Sequence, residues 1–149
     1  MEQLPSKEPS DSEQKPVKKE VPIREGYFHQ ATSPSEESYL IGSRCKSCGQ
    51  VSFPKREHCL ECFGQDMERV ILRGNCKLYT FTIVHMPTEH YDPPYAIGWV
   101  EFPEGVRVFG QIKGWESQPL KIGMKMKVVI DTLWQEVEKE VIGYKFEPL

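Results

Sequence analysis

The clearest alternation in the chain runs from Lys77 to Val84, where Leu78, Thr80, Thr82 and Val84 interleave with Tyr79, Phe81 and Ile83. A period of two over eight residues predicts a long, two-faced barrel strand. A second run follows at Tyr95 to Phe102. Glu104-Gly105 then marks a hairpin turn, and Val106, Val108, Gly110 and Ile112 share one face of the returning strand. Met124, Met126, Val128 and Ile130 alternate with Lys125, Lys127 and Val129 in a fourth strand. Val141 to Phe146 makes a fifth, beyond the polar stretch Gln135 to Glu140. Five short strands predict a small closed barrel, and the five-stranded Greek-key OB-fold is the common solution that removes exposed edges at this size. Val70 to Leu72 starts a further strand ahead of them.

Upstream the pattern changes. Met1 to Glu20 has only Met1, Leu4 and Val17 as apolar residues, among Pro5, Pro16 and many Lys, Glu and Ser. Such a stretch cannot bury enough surface to order itself, so residues 1–20 are expected to be a disordered tail. From Val21, the helical spacing of Tyr27, Phe28 and Ala31 predicts a short amphipathic helix docked on its neighbour. Ser33 and Glu36 have capping-box spacing around Pro34, which predicts a brief second helical turn. Tyr39 to Arg44 follows as a strand. The expected organisation is a tail over 1–20, a helix and metal module over 21–66, and a barrel over 67–149, mainly β throughout.

The metal module rests on four cysteines. Cys45-Lys46-Ser47-Cys48 and Cys59-Leu60-Glu61-Cys62 are two CxxC pairs separated by ten residues. Each pair predicts a tight knuckle, and two facing knuckles complete a tetrahedral four-sulfur zinc site, the pattern of a zinc ribbon. Gly49 suits the position after the first knuckle, where the chain often needs positive φ. The second knuckle is less regular, because Phe63 follows Cys62 and Gly64 arrives one residue late. Two disulfides or four buried thiols are the alternative reading. No apolar run from Met1 to Lys19 resembles a signal core or membrane span, so a reducing cytoplasm is expected and reduced thiols favour zinc. Four protein sulfurs leave no open coordination position, so the zinc is expected to be structural. His58 beside Cys59 is read as a surface residue.

Composition narrows the function. A chain of 149 residues, 38% hydrophobic and with a net charge of -3, permits one main core and a small metal-stapled module. Residues 74–149 carry 8 basic against 10 acidic side chains, and only residues 44–73 are net positive, with 6 against 4. A single-stranded nucleic-acid binder is an alternative class, since Tyr79, Phe81, Trp99 and Phe109 could stack on bases, but it needs a positive groove that this balance does not supply. Catalytic residues are not evident. Cys76, the one cysteine outside the ribbon, is expected to be a buried inert thiol. His85 and His90 flank the loop Met86 to Glu89, with Asp92 close by, and are read as exposed polar residues rather than an acid-base set.

One family resemblance ties these pieces together. A CxxCG knuckle, then Phe53-Pro54-Lys55-Arg56, then CxxC, then Gly74 leading into Leu78-Tyr79-Thr80-Phe81-Thr82, then Pro94-Tyr95, Gly105-Val106 and Ile122-Gly123-Met124 occur in order. From about Tyr27 to Phe146, the chain resembles the rubredoxin-like zinc-ribbon plus OB-fold proteins associated with acyl-CoA enzymes. It departs from them at Cys76, where the second glycine of a GxG turn is usual, and at the late Gly64. The resemblance implies a non-catalytic accessory subunit that binds a thiolase-like enzyme working on coenzyme A thioesters. In size and in its extended N-terminus, the chain is similar to the branch that serves benzoylsuccinyl-CoA thiolysis in anaerobic aromatic degradation. A coenzyme A thioester is then expected at the partner interface, with Lys55, Arg56 and Arg73 as candidates for its phosphates. A self-sufficient acyl-CoA-binding module remains the other alternative. Partner contacts are expected from the barrel-mouth loop at His85, His90, Pro93, Pro94 and Tyr95, where the two prolines stiffen the chain through fixed φ. Neither nucleic acid nor membrane is expected as a partner.

Overall fold

The computed structural model describes residues 17–149, which leaves most of the expected N-terminal tail outside the described residues. Among the described residues ten strands form two sheets and there is no helix. The expected barrel strands are β6 (Cys76–Val84), β7 (Tyr95–Glu101), β8 (Arg107–Ile112), β9 (Lys125–Gln135) and β10 (Lys139–Pro148). They run in the order β10-β8-β7-β6-β9, and β9 pairs back onto β10, so the barrel closes. Closure leaves no strand of the five with a full unpaired edge, which is what the short alternating runs require.

Register follows the hydrophobic pattern. Val108, Gly110 and Ile112 face inward from β8, as do Met126 and Val128 from β9. Gly105, with φ at 86°, turns the chain between β7 and β8 while Phe102 donates its N–H to Val106 O at 2.9 Å. Gly98 and Gly110 mark places where another group comes close. A Cβ at Gly98 would stand 2.9 Å from Ile112 Cδ1, and one at Gly110 would stand 2.9 Å from Phe146 Cε2.

The second sheet is the ribbon. Strand β3 (Tyr39–Cys45) pairs with β2 (Phe28–His29), β4 (Val51–Ser52) and β5 (Met67–Leu72), each antiparallel. The strand expected at Val70 to Leu72 thus begins at Met67 and belongs to the ribbon sheet, with Leu72 opposite Leu40. Its outcome is a shared core. Leu40, Val51 and Leu72 lie in one buried cluster with Leu78, Val100, Val108, Met126 and Phe146 of the barrel.

The expected N-terminal helix is replaced by extended chain and turns. Strand β1 (Lys19–Pro22) pairs parallel with β10 from Lys139 to Ile142, and Ile23 continues the contact through its N–H to Ile142 O. The residues Lys19 and Glu20, expected in the tail, are therefore part of the barrel sheet. Gly26 then adopts φ of 76°, and Phe28–His29 enters the ribbon. The physical reason is local. A three-residue apolar pattern is too short to nucleate a helix, and Pro22 and a left-handed Gly26 just ahead of it keep a helix from extending upstream while sheet partners satisfy the backbone on both sides. The expected second helical turn is a single turn in which Glu36 N–H meets Ser33 O at 3.1 Å. Glu36 accepts hydrogen bonds from Thr32 N–H (2.9 Å) and Thr32 Oγ1 (3.0 Å) and pairs with His29 Nε2 at 2.7 Å, so its carboxylate ties the loop to β2 instead of capping a helix.

Candidate functional site

The ribbon's two knuckles share one backbone plan. Cys45 N–H donates to Gln50 O at 2.9 Å and Gly49 N–H to Cys45 O at 2.8 Å; Cys59 N–H donates to Gly64 O at 2.9 Å and Phe63 N–H to Cys59 O at 3.1 Å. These bonds turn each CxxC so that both thiols point the same way. The four Sγ atoms of Cys45, Cys48, Cys59 and Cys62 lie within 4.8 Å of one another. Cys45 and Cys62 approach to 3.5 Å, and Cys48 and Cys59 to 3.4 Å. A tetrahedron of Zn–S bonds near 2.3 Å has edges of about 3.8 Å, so the cluster has the right size for one zinc. All five cysteines are free, and these sulfur separations are well beyond a disulfide bond of about 2 Å.

Electrostatics of the cluster agree with that fit. Backbone N–H groups of Cys48 and then Ser47 pull the Cys45 thiol below its ordinary range, and those of Cys62 and Glu61 do the same for Cys59. Cys48 receives a lowering contact from Gln50, yet its neighbour Cys59 and burial push it up overall. Crowded sulfurs cannot all ionise against one another without a cation between them. Four close cysteines in this ribbon therefore support structural zinc, with no position left for a substrate.

A second feature lies on the barrel. A cleft of about 840 Å³ is lined by aromatic residues from distant parts of the chain, with Tyr27, Tyr91, Tyr95, Phe109, Trp134 and Tyr144 among them. One wall is the loop after β6. His90 stacks on Trp134 with ring centres 4.2 Å apart and planes 5° from parallel, and Tyr91 meets Trp134 edge-on at 6.4 Å. Tyr144 donates to Phe109 O at 2.9 Å, and burial pushes its hydroxyl up to about 12. Beyond the cleft the outer sheet face stays aromatic. Trp99 and Phe109, both close to half exposed, pair at 5.6 Å, and the Arg107 guanidinium sits 3.7 Å from the Tyr79 ring.

The expected site residues separate into groups. His90 and Tyr95 line the cleft, whereas His85, Pro93 and Pro94 lie on the same loop outside its lining. Trp134, Tyr144, Tyr27 and Tyr91 are cleft residues that the sequence pattern did not single out. Arg56 donates its N–H to Ser43 Oγ at 2.9 Å, and Arg73 lies over the Tyr39 ring at 6.0 Å. Cys76 is fully buried and donates to Met126 O at 3.0 Å. Burial pushes its thiol up to about 11, with Glu104 adding to the shift.

Comparison with known proteins gives a consistent picture. The family model described as the ChsH2 rubredoxin-like zinc ribbon domain matches residues 36–68, and that described as the ChsH2 C-terminal OB-fold domain matches residues 70–131. A DUF35 domain-containing scaffold protein of Methanocaldococcus jannaschii is 38% identical over 119 residues, covering 76% of this chain and 84% of that protein. The benzoylsuccinyl-CoA thiolase subunit BbsA of Thauera aromatica is 39% identical over 108 residues, covering 69% and 75%. Among solved structures, a chain of the Ltp2-ChsH2(DUF35) aldolase superposes with a TM-score of 0.57 at 28% identity, over 74% of this chain and 84% of that one. No helix among the described residues is long and apolar enough to cross a membrane.

Proposed function

Because this chain belongs to the ChsH2-type family, in which a rubredoxin-like zinc ribbon is joined to an OB-fold domain, we propose that it is a non-catalytic accessory subunit of a thiolase-type acyl-CoA enzyme. The state of Cys76 carries this role. Thiolysis needs an activated thiolate with a base beside it. Four thiols are gathered in the ribbon, and the fifth is buried, hydrogen-bonded to a backbone carbonyl and pushed up to about 11. The nucleophile then comes from the partner subunit. This chain supplies shape, holding the partner's loops where small displacements of reacting groups cost large factors in rate.

In this role Cys45, Cys48, Cys59 and Cys62 hold one zinc, and the enzyme docks on the His85 to Tyr95 loop and the aromatic face beside it. Lys55, Arg56 and Arg73 are the basic side chains that would meet the phosphates of a bound coenzyme A. The relative from Thauera aromatica, named as a benzoylsuccinyl-CoA thiolase subunit, supports an aromatic acyl thioester as substrate of the complex. Five free cysteines are in keeping with a reducing cytoplasm. Hydrogen exchange on the complex with a thiolase-type subunit from the same organism tests the placement. Protection from His85 to Val100 is expected, and unchanged exchange there would rule out docking on this face.

A further inference from the structure

The two knuckles follow the same hydrogen-bond plan, and they differ at the residue that must be left-handed. Counting four residues from the leading cysteine gives Gly49 in the first knuckle and Phe63 in the second, each donating its N–H back to that cysteine's carbonyl. Both have positive φ, 80° at Gly49 and 59° at Phe63. Glycine takes this conformation freely, whereas a side chain with a Cβ is pressed against the neighbouring carbonyl. Asn75, at φ of 47°, is the other such residue among those described, and asparagine is a type that tolerates the region. Phenylalanine is not.

Among the described residues nothing explains the ring. Phe63 is 78% exposed and Leu60, in the same knuckle, is 58% exposed. A lone exposed apolar side chain is ordinary. One that also holds a strained backbone, at a position where the sister knuckle has glycine, points to a use outside the fold. Its surroundings are polar: Glu61 and Gln65 are exposed, and Lys46 pairs with Asp66 at 3.8 Å. An apolar tip inside a polar collar is the arrangement of an interface anchor and its rim.

We propose that Phe63, with Leu60 beside it in the second knuckle, is an anchor that enters an apolar pocket of the thiolase-type subunit. This rests on the accessory-subunit role and adds a second contact region, on the ribbon rather than the barrel. A knuckle whose two cysteines join the four-sulfur cluster is a rigid mount, so little conformational freedom is lost when the ring is buried.

Calorimetric titration of a thiolase-type subunit from the same organism with wild type, Phe63→Gly, Phe63→Leu and Leu60→Ser tests the anchor, together with the melting temperature and zinc content of each free chain. Phe63→Gly is expected to weaken binding by at least about tenfold, while the free chain keeps its zinc and melts no lower than wild type. Phe63→Leu, which keeps an apolar side chain, is expected to stay within about threefold of wild type, and Leu60→Ser to fall between the two. Wild-type binding with Phe63→Gly unchanged would overturn the anchor and leave the accessory role standing. Absence of wild-type binding would overturn both. A Phe63→Gly chain that melts lower or loses zinc would show the ring to be part of the ribbon's own structure, and would also overturn the proposal.

Discussion

Stripping the metal is expected to destabilise the whole chain, because the ribbon and barrel share a core. Leu40 and Leu72 are fully buried and Val51 nearly so, all three from ribbon strands, in one cluster with Leu78, Val100, Val108, Met126 and Phe146. Phe53 of the ribbon also meets the Tyr144 ring edge-on at 5.5 Å. Full burial of a Val or Leu side chain contributes about 1.5–3 kcal/mol, so those three residues hold about 5–9 kcal/mol across the seam. That is comparable with the roughly 5–15 kcal/mol net stability of a whole domain. Structural zinc in small modules contributes on the order of 10 kcal/mol or more, and the two knuckles have little else to hold them. The assay is a chelator titration followed at once by zinc release, far-ultraviolet circular dichroism and the fluorescence of Trp99, Trp115 and Trp134 in the barrel region. One zinc per chain is expected, with all three signals moving together in a single transition. Barrel fluorescence and its melting curve unmoved after full metal removal would refute the shared-core argument. Less than half an equivalent of zinc in fresh protein would refute the metal site itself.

Three further outcomes follow from particular groups. Gly98→Ala places a Cβ inside van der Waals contact of the Thr80 carbonyl oxygen and 2.9 Å from Ile112 Cδ1. It is expected to cost about 3 kcal/mol in urea unfolding, and a loss below about 1 kcal/mol would mean that β6 and β7 give way more easily than their packing implies. Glu36 is held down to about 2, from an ordinary 4.5, first by the Thr32 N–H and then by His29 and the Thr32 hydroxyl. A depressed carboxylate contributes its stability fully above pH 4.5 and loses it as pH falls toward 2. Nuclear magnetic resonance titration of its carboxyl carbon should therefore show a midpoint near 2, and a midpoint near 4.5 would count against the bonding seen in the loop. Cys76→Ser is expected to cost about 1–2 kcal/mol by burying a hydroxyl in an apolar core, yet to leave thiolysis by the assembled complex within about twofold of wild type, a loss of activity beyond its loss of stability being the contrary result.

Long-range pairing decided which parts of the fold were legible in the sequence. Residues 124–130 alternate over enough positions for burial to be assigned face by face, and that face is the one the barrel buries. In residues 77–84, by contrast, a register shift between Leu78 and Thr80 turns Phe81 and Ile83 toward the core and leaves Thr80 and Thr82 exposed, which alternation alone does not show. The CxxC pairs were equally readable, because four thiols at that spacing have few other uses. Tyr27, Phe28 and Ala31 were misleading, since three apolar residues fit a helical face and an irregular strand equally well. What settles them is β3, with Phe28 opposite Leu40 and Ile41 N–H donating to Tyr27 O at 2.8 Å, while the chain just before them pairs parallel with residues 139–142, more than a hundred positions away. Met67–Leu72 has the same history, its partner β3 lying across the metal module. The cleft was half visible. His90 and Tyr95 stood out on a proline-stiffened loop, but Trp134 and Tyr144 join them only because β9 and β10 fold alongside. Phe63 could be seen to displace a glycine, while its left-handed backbone and exposure required the structure.

The most direct test of the accessory role is turnover of an acyl-CoA in three parallel assays, using this chain alone, the thiolase-type subunit alone and the two combined, with release of the acyl-CoA products followed over time. The account predicts no turnover by this chain alone, and full activity only when the two are combined, with the partner's active-site cysteine required and Cys76→Ser tolerated. Turnover by this chain alone, abolished by Cys76→Ser, would contradict it.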